Sequence, residues 1–151
     1  MAAEFNLRAE CMIYEIVLDK KFIYFPVDPS GVERRMDIFV QSENGGREQI
    51  LELLIPVSEA PAETYPAMFY GEIPVSSCAG RKAVIELDAP PSFFRAIRLS
   101  DSRIKEEDRH PLIHFTADCG WTNDPNGMYY RNGLYHLYFQ YNPVNTIWQN
   151  M

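Results

Sequence analysis

The sequence predicts an all-β chain whose larger part is an antiparallel β-sandwich, and three observations carry that expectation. Between Cys11 and Leu99 the apolar residues come in short runs rich in β-branched and aromatic types. The gaps between the runs hold turn chemistry, with glycine free to take positive φ and proline fixing a bend. Helix start and stop signals are nearly absent. A composition of 46% apolar and 13% aromatic residues against 23% charged supplies enough large side chains for a packed core.

In chain order the expected strands are Cys11 to Leu18, Phe22 to Val27, Met36 to Gln41, Gln49 to Val57, Met68 to Val75, Ala83 to Leu87 and Phe94 to Leu99. Asp28-Pro29-Ser30-Gly31, Asn44-Gly45-Gly46, Ala60-Pro61 and Ala89-Pro90-Pro91 separate them. One stretch has a helical rival, because Ile50, Leu51, Leu53, Leu54 and Ile55 also fit an apolar stripe. The strand reading is preferred, since Ile55-Pro56-Val57 ends the run in an extended dipeptide. Strands at this spacing form two packed layers with their own core. Tyr14, Tyr24, Tyr65 and Tyr70 are read as core aromatics, with a sugar-binding platform as the alternative.

Asp101 to Pro111, D-S-R-I-K-E-E-D-R-H-P, is the densest charge run and lacks an apolar pattern. It reads as a solvated linker, so residues 1–108 are assigned to the sandwich and 109–151 to a second domain. Met128 to Tyr130 and Leu134 to Tyr141 flank Arg131-Asn132-Gly133, whose Asn-Gly pair is a strong hairpin signal. Leu134 to Tyr141, L-Y-H-L-Y-F-Q-Y, is apolar or aromatic on both faces and belongs inside a larger sheet. That sheet is expected to be unfinished at Met151. The segment after Pro111, with an unpaired edge and uncovered aromatics, is therefore expected to be disordered or to pair with a second chain by dimerisation or strand exchange.

A net charge of −7 argues against nucleic-acid and anionic-membrane partners, which reward clustered cations. No apolar run approaches the roughly 20 residues of a membrane span, and Met1 to Glu10 lacks the pattern of a secretion signal. Cys11, Cys78 and Cys119 are odd in number and far apart, so they are read as reduced, mostly buried thiols. A cytoplasmic setting is the resulting expectation.

The chemistry concentrates in G-W-T-N-D-P-N-G, Gly120 to Gly127. Taken alone, Asp124-Pro125-Asn126-Gly127 is a sound tight turn. Turn geometry does not require Trp121, Asn123 or the preceding His114-Phe115, however. Asp124 stands before a proline and is held extended, so its carboxylate can project into a cleft. The amides of Asn123 and Asn126 can donate to it or to a sugar hydroxyl. An oriented, ionised Asp can attack an anomeric carbon, and it can equally bind a metal ion. His114 and His136, each beside apolar neighbours, are read as hydrogen-bonded core residues without a catalytic role.

The series H-F-T-A-D-C-G-W-T-N-D-P-N-G, L-Y-H-L-Y-F-Q-Y-N-P and N-T-I-W-Q-N-M resembles the opening of the catalytic domain of glycoside hydrolase family 32, the invertases and fructan-hydrolysing β-fructosidases. The resemblance covers roughly His110 to Met151. It implies a five-bladed β-propeller, of which this chain holds the first, incomplete blade. It also implies retaining hydrolysis of β-fructofuranosides by a carboxylate nucleophile and a separate acid/base Glu, with no metal or organic cofactor. Asp124 falls on the nucleophile position, and Asn123 on the Asn that helps bind the innermost fructosyl unit. Gln140 falls on the Gln that contacts the sugar, and Trp148 on the aromatic wall of the same pocket. Thr122 stands where the family often has Met. Apart from the resemblance, Trp121 and Trp148 read as core residues; with it, Trp148 becomes a site residue and Trp121 packs beneath the site.

The resemblance also implies what this chain lacks. The family's acid/base Glu lies in an E-C motif and a stabilising Asp in an R-D-P motif, and neither follows Asp124. The expectation is an amino-terminal part of a β-fructosidase acting on fructose-containing oligo- or polysaccharides and inactive by itself. The alternative is a non-catalytic module that binds carbohydrate or protein through the sandwich.

Overall fold

A computed structural model describes residues 6–8, 11–42, 44–59, 63–104 and 113–150. Most of the charged run read as a linker, and with it the proposed boundary after residue 108, lies outside the described residues. The order is β1 (Asn6–Arg8), β2 (Cys11–Val17), β3 (Phe22–Val27), β4 (Val32–Gln41), β5 (Arg47–Val57), β6 (Phe69–Pro74), a 3-10 turn (Ser76–Cys78), β7 (Lys82–Leu87), α1 (Pro91–Ala96), β8 (Arg98–Ser100), β9 (Trp121–Arg131) and β10 (Leu134–Asn142). All strand pairs are antiparallel.

β1-β2-β7-β4-β5 form a five-stranded sheet, β6-β3-β8 a three-stranded one, and β9 and β10 a hairpin. Alternation decides which face of each strand is buried. Met36, Ile38 and Val40 of β4, Leu53, Ile55 and Val57 of β5, and Ala83, Ile85 and Leu87 of β7 point inward. From the smaller sheet, Ile23, Phe25 and Val27 of β3 enter the same core. The outer face of the larger sheet carries ion pairs, within β4 between Arg35 and Asp37 and across strands between Arg35 and Glu52 and between Arg47 and Glu86. Exposed pairs of this kind set register more than stability, at about 0–1 kcal/mol each.

The stretch with a helical rival is strand, paired with β4 from Val32↔Val57 to Gln41↔Arg47. Two departures from the sequence reading stand out. Phe94 to Leu99 is not one strand: Pro91 opens α1, and only Arg98–Ser100 is extended. Pro91 at the first helical position presets φ and gives up no needed N–H. The turn lets Phe93 and Phe94, both fully buried, enter the core edge to face at 5.5 Å; a strand would have sent them to opposite faces. The short β1 lies where no strand was expected.

Tyr24 and Tyr65 are buried, Tyr14 stacks on Phe94 at 5.3 Å, and the ring of Tyr70 is covered by the Arg98 guanidinium at 3.8 Å. The core reading fits Tyr24 and Tyr65, which are buried, while Tyr14 and Tyr70 are half-buried. Among the described residues no helix is long and apolar enough to cross a membrane.

Residues after 113 are not a loose tail. β9 and β10 pair around Asn132-Gly133, which take φ of 53° and 82° as a primed two-residue turn requires. The loop after β10 then packs back on the body. Val144 is fully buried in the shared core. Gly71 of β6 allows this approach, since a Cβ there would stand 2.6 Å from the Pro143 carbonyl oxygen and 2.8 Å from Val144.

Candidate functional site

β9 begins at Trp121, so N-D-P-N-G lies within a strand and not at its end or in a turn. A proline inside a strand removes a ladder donor and is tolerated at bulges. The register shows the accommodation. Tyr138 opposes Gly127 and Phe139 opposes Pro125, which leaves Asn126 as an extra residue. Tyr141 next opposes Thr122, so Asn123 and Asp124 together face the single residue Gln140. Bulges of this kind re-aim side chains.

The Asn123 amide donates to Gln140 Oε1 at 2.8 Å. This bond fixes both amides in one orientation at the bulge, leaving Gln140 Nε2 and Asn123 Oδ1 available as donor and acceptor. The sequence reading had the amides of Asn123 and Asn126 able to donate to Asp124 or to a sugar hydroxyl; in the structure the Asn123 amide reaches across the hairpin, because the bulge brings Gln140 opposite. Asp124 is exposed and has no hydrogen bond or ion pair among the described residues. Its carboxylate is thus open to a ligand.

Trp148 is 67% exposed, on the loop that follows β10. Polar side chains hold this loop. Asn142, fully buried, donates to the Ile147 carbonyl at 3.1 Å and accepts from Val144 N–H at 3.2 Å and from Asn150 Nδ2 at 3.1 Å. Asn150 also pairs with β5 at two points: its Nδ2 donates to the Leu54 carbonyl at 2.7 Å, and Leu54 N–H donates to its Oδ1 at 2.8 Å. Glu33 of β4 accepts from Asn145 at 3.1 Å and from Gln149 at 3.3 Å. Gln140 and Trp148 are therefore tied to one network, two residues before Asn142 and one after Ile147. Trp121, at the base of the hairpin opposite Asn142, is 39% exposed.

Residues 114–151 match the family model described as Glycosyl hydrolases family 32 N-terminal domain. This segment is thus similar in sequence to the family 32 glycosyl hydrolases. Invertase 1 of Saccharomyces cerevisiae is 51% identical over 55 residues, which are 35% of this chain and 10% of that protein. Levanase of Bacillus subtilis is 48% identical over 52 residues, 34% of this chain and 8% of that protein. Fructan 6-exohydrolase of Triticum aestivum is 51% identical over 39 residues, 26% of this chain and 6% of that protein. The chain thus covers about a tenth or less of the length of these relatives. No solved structure matches it.

His114 and His136 are exposed, which corrects the core reading; the ring of His136 lies 5.6 Å from that of Tyr129 on the exposed hairpin. Cys119 exchanges a hydrogen bond with Tyr141 Oη at 3.1 Å, and burial pushes both groups' pKa values up, keeping them protonated. Cys78 is buried while Cys11 and Cys119 are half-buried, and all three are free thiols. Among the described residues no three His, Cys, Asp or Glu side chains stand together as metal ligands, so the metal alternative for Asp124 finds no partners there.

Where residues 118 and 119 cross the smaller sheet, a pocket of about 260 Å³ is lined by Tyr24, Tyr70, Glu72, Arg98 and Cys119. Its polar groups bond one another: Tyr24 donates to Glu72 at 2.7 Å, and Arg103 pairs with Glu72 and Asp118. Asp124 does not line it. The sequence reading did not single out Asn142, Asn145, Asn150 or Glu33. For the three asparagines the repeated Asn of N-P-V-N-T-I-W-Q-N was a hint, since Asn is common in loops for its local hydrogen bonds, whereas nothing local marked Glu33.

Proposed function

We propose that this chain is the amino-terminal part of a retaining β-fructosidase acting on sucrose or fructans, with Asp124 as the nucleophile. The hairpin β9–β10 is then the start of a propeller blade, and its uncovered faces are those on which further strands would pack. Asn123 and Gln140 bind fructosyl hydroxyls, and Trp148 offers a flat apolar face to the sugar C–H surface. The observation that carries this reading is the bulge that places an open Asp124 carboxylate beside the bonded Asn123–Gln140 pair. The names of the relatives, an invertase, a levanase and a fructan exohydrolase, support the substrate class.

In a retaining reaction the Asp124 carboxylate attacks the anomeric carbon and forms an ester as the bond to the leaving oxygen breaks. A second carboxylic acid, about 5–5.5 Å away, gives that oxygen its proton. As a carboxylate, it then takes a proton from the water that cleaves the ester. No Asp or Glu follows Asp124 in this sequence. In this reading the 151-residue chain therefore binds a fructosyl unit without turning it over.

Two measurements on the purified chain test this. Titration with fructose, followed by NMR, is expected to shift the side-chain amides of Asn123 and Gln140 and the Trp148 indole, and Asn123→Ala is expected to abolish the shifts. Incubation with sucrose, levan or inulin is expected to release no fructose. Shifts confined to Tyr70 and Arg98 would favour a non-catalytic binding module in the two-sheet body and overturn the assignment. Clear fructose release would overturn the assignment of the acid to a later part of the protein.

A further inference from the structure

The family match begins at residue 114, so it leaves the two-sheet body without a role. Apart from the stretch around Asp118 and Cys119 that lies on the smaller sheet, the body is held to the segment by the loop after β10. β5 is the outer strand of its sheet, and at Leu54 both backbone polar groups turn away from β4. An edge like this requires cover. The cover is a single side chain: the Asn150 amide matches the peptide group of Leu54 donor to acceptor and acceptor to donor, as a neighbouring strand would. Asn150 holds this pose in the left-handed region at φ 59°, which Asn tolerates better than most residues.

The two bonds at Leu54 do not stand alone. The second hydrogen of Asn150 Nδ2 goes to Asn142, which in turn holds the Ile147 carbonyl. Glu33, on the neighbouring strand β4, takes Gln149 and Asn145. Trp148 is thereby fixed through the residue before it, the residue after it and the residue two beyond, while its own ring stays in solvent. Such a pattern holds a side chain in place without covering it, as preorganisation of a binding wall requires.

We propose that Asn150 and Glu33 are positioning residues, clamping the Trp148 loop to the edge of the two-sheet body so that this body sets the place of the sugar pocket's wall. The role as a sugar wall rests on the fructosidase reading; the clamp itself does not. It also gives the amino-terminal body a function that needs no ligand of its own.

The test uses the 151-residue chain with Trp121→Phe, which leaves Trp148 as the reporter. Asn150→Ala is expected to lower hydrogen-exchange protection of the Leu54 amide about tenfold, the size of one lost hydrogen bond. Trp148 fluorescence anisotropy falls with it. Glu33→Ala is expected to free Trp148 likewise. Glu33→Gln restores it, because a neutral amide still accepts from Asn145 and, with Gln149 turned over, can donate to the Gln149 Oε1 that is buried without a partner. Protection at Ile85 and Phe25, inside the sheets, reports that each variant is folded. Unchanged Leu54 protection and Trp148 anisotropy in the folded Asn150→Ala protein would overturn the clamp. So would failure of Glu33→Gln to restore what Glu33→Ala loses. Loss of fructose-induced shifts without these changes would fall on the fructosidase reading alone, and freed Trp148 in a chain that never bound fructose would leave the clamp standing.

Discussion

Tyr24 shows how a single hydroxyl joins the sheets to the segment that follows them. It is 2% exposed, donates to Glu72 Oε2 and accepts from the Ile104 amide at 3.0 Å. Burial first, and then the Glu72 hydrogen bond, push its pKa from 10.0 up to about 12. The fold thus favours the protonated phenol. Its contribution is complete below pH 10.0 and is lost as pH rises through about 12. Tyr141, raised by burial and then by Cys119, adds in the same direction. Tyr24→Phe is expected to cost about 1–3 kcal/mol at neutral pH, because the Ile104 N–H and Glu72 each lose a partner. It should also shrink the alkaline loss of stability. Urea unfolding at neutral pH and between pH 10.0 and about 12 checks both, and an alkaline loss as large as in the parent would sink the assignment.

At the scale of elements, the hairpin separates what a local pattern can specify from what it cannot. Asn132-Gly133 announced the turn, and the structure places both residues at positive φ. Gly133→Ala puts a Cβ where left-handed backbone disfavours it, at about 1–2 kcal/mol. The expected result is faster amide exchange from Leu134 to Leu137 with Ile85 unchanged; equal exchange along the hairpin would count against the turn. The bulges were not legible, since nothing in N-D-P-N-G says which residue is extra. That depends on the partner strand, and it decides that Asn123 meets Gln140. Likewise Pro90-Pro91 read as a turn before a strand, whereas burying Phe93 and Phe94 together favoured a helical turn.

The whole molecule joins a well-packed body to a hairpin with little cover. Met128, Leu134 and Tyr135 are 67%, 63% and 74% exposed, and such apolar surface is uncommon on a chain that stays alone in solution. The isolated chain is expected to self-associate as concentration rises. Met128→Glu with Tyr135→Glu should weaken that association, because each buried side chain of this size contributes about 1.5–3 kcal/mol. Sedimentation of both proteins over a concentration series checks this; a parent chain that sediments as a monomer throughout would refute it. Of the two outcomes expected after Pro111, disorder or pairing with a second chain, the described residues form an ordered hairpin, which leaves pairing for the sedimentation experiment. The loop after β10 anchors in the body through Val144 and the Asn142 network, and these contacts join distant parts of the chain.

The β character, most strand positions and the resemblance of the carboxyl-terminal segment to family 32 were legible in the chain alone. Those properties reside in local alternation, turn chemistry and a run of motif residues, each readable within a few positions. The sequence also named Asn123, Asp124, Gln140 and Trp148 as the residues to watch. Only the tertiary structure decided that Asn123 meets Gln140 and that the Trp148 loop is held to the body, because register, bulges and the pairing of Asn150 with Leu54 depend on residues as many as 96 positions apart. Hydrogen bonds at that separation leave no periodic trace in the chain. They arise when the outer strand of a sheet presents a donor and an acceptor that some other part of the molecule must satisfy.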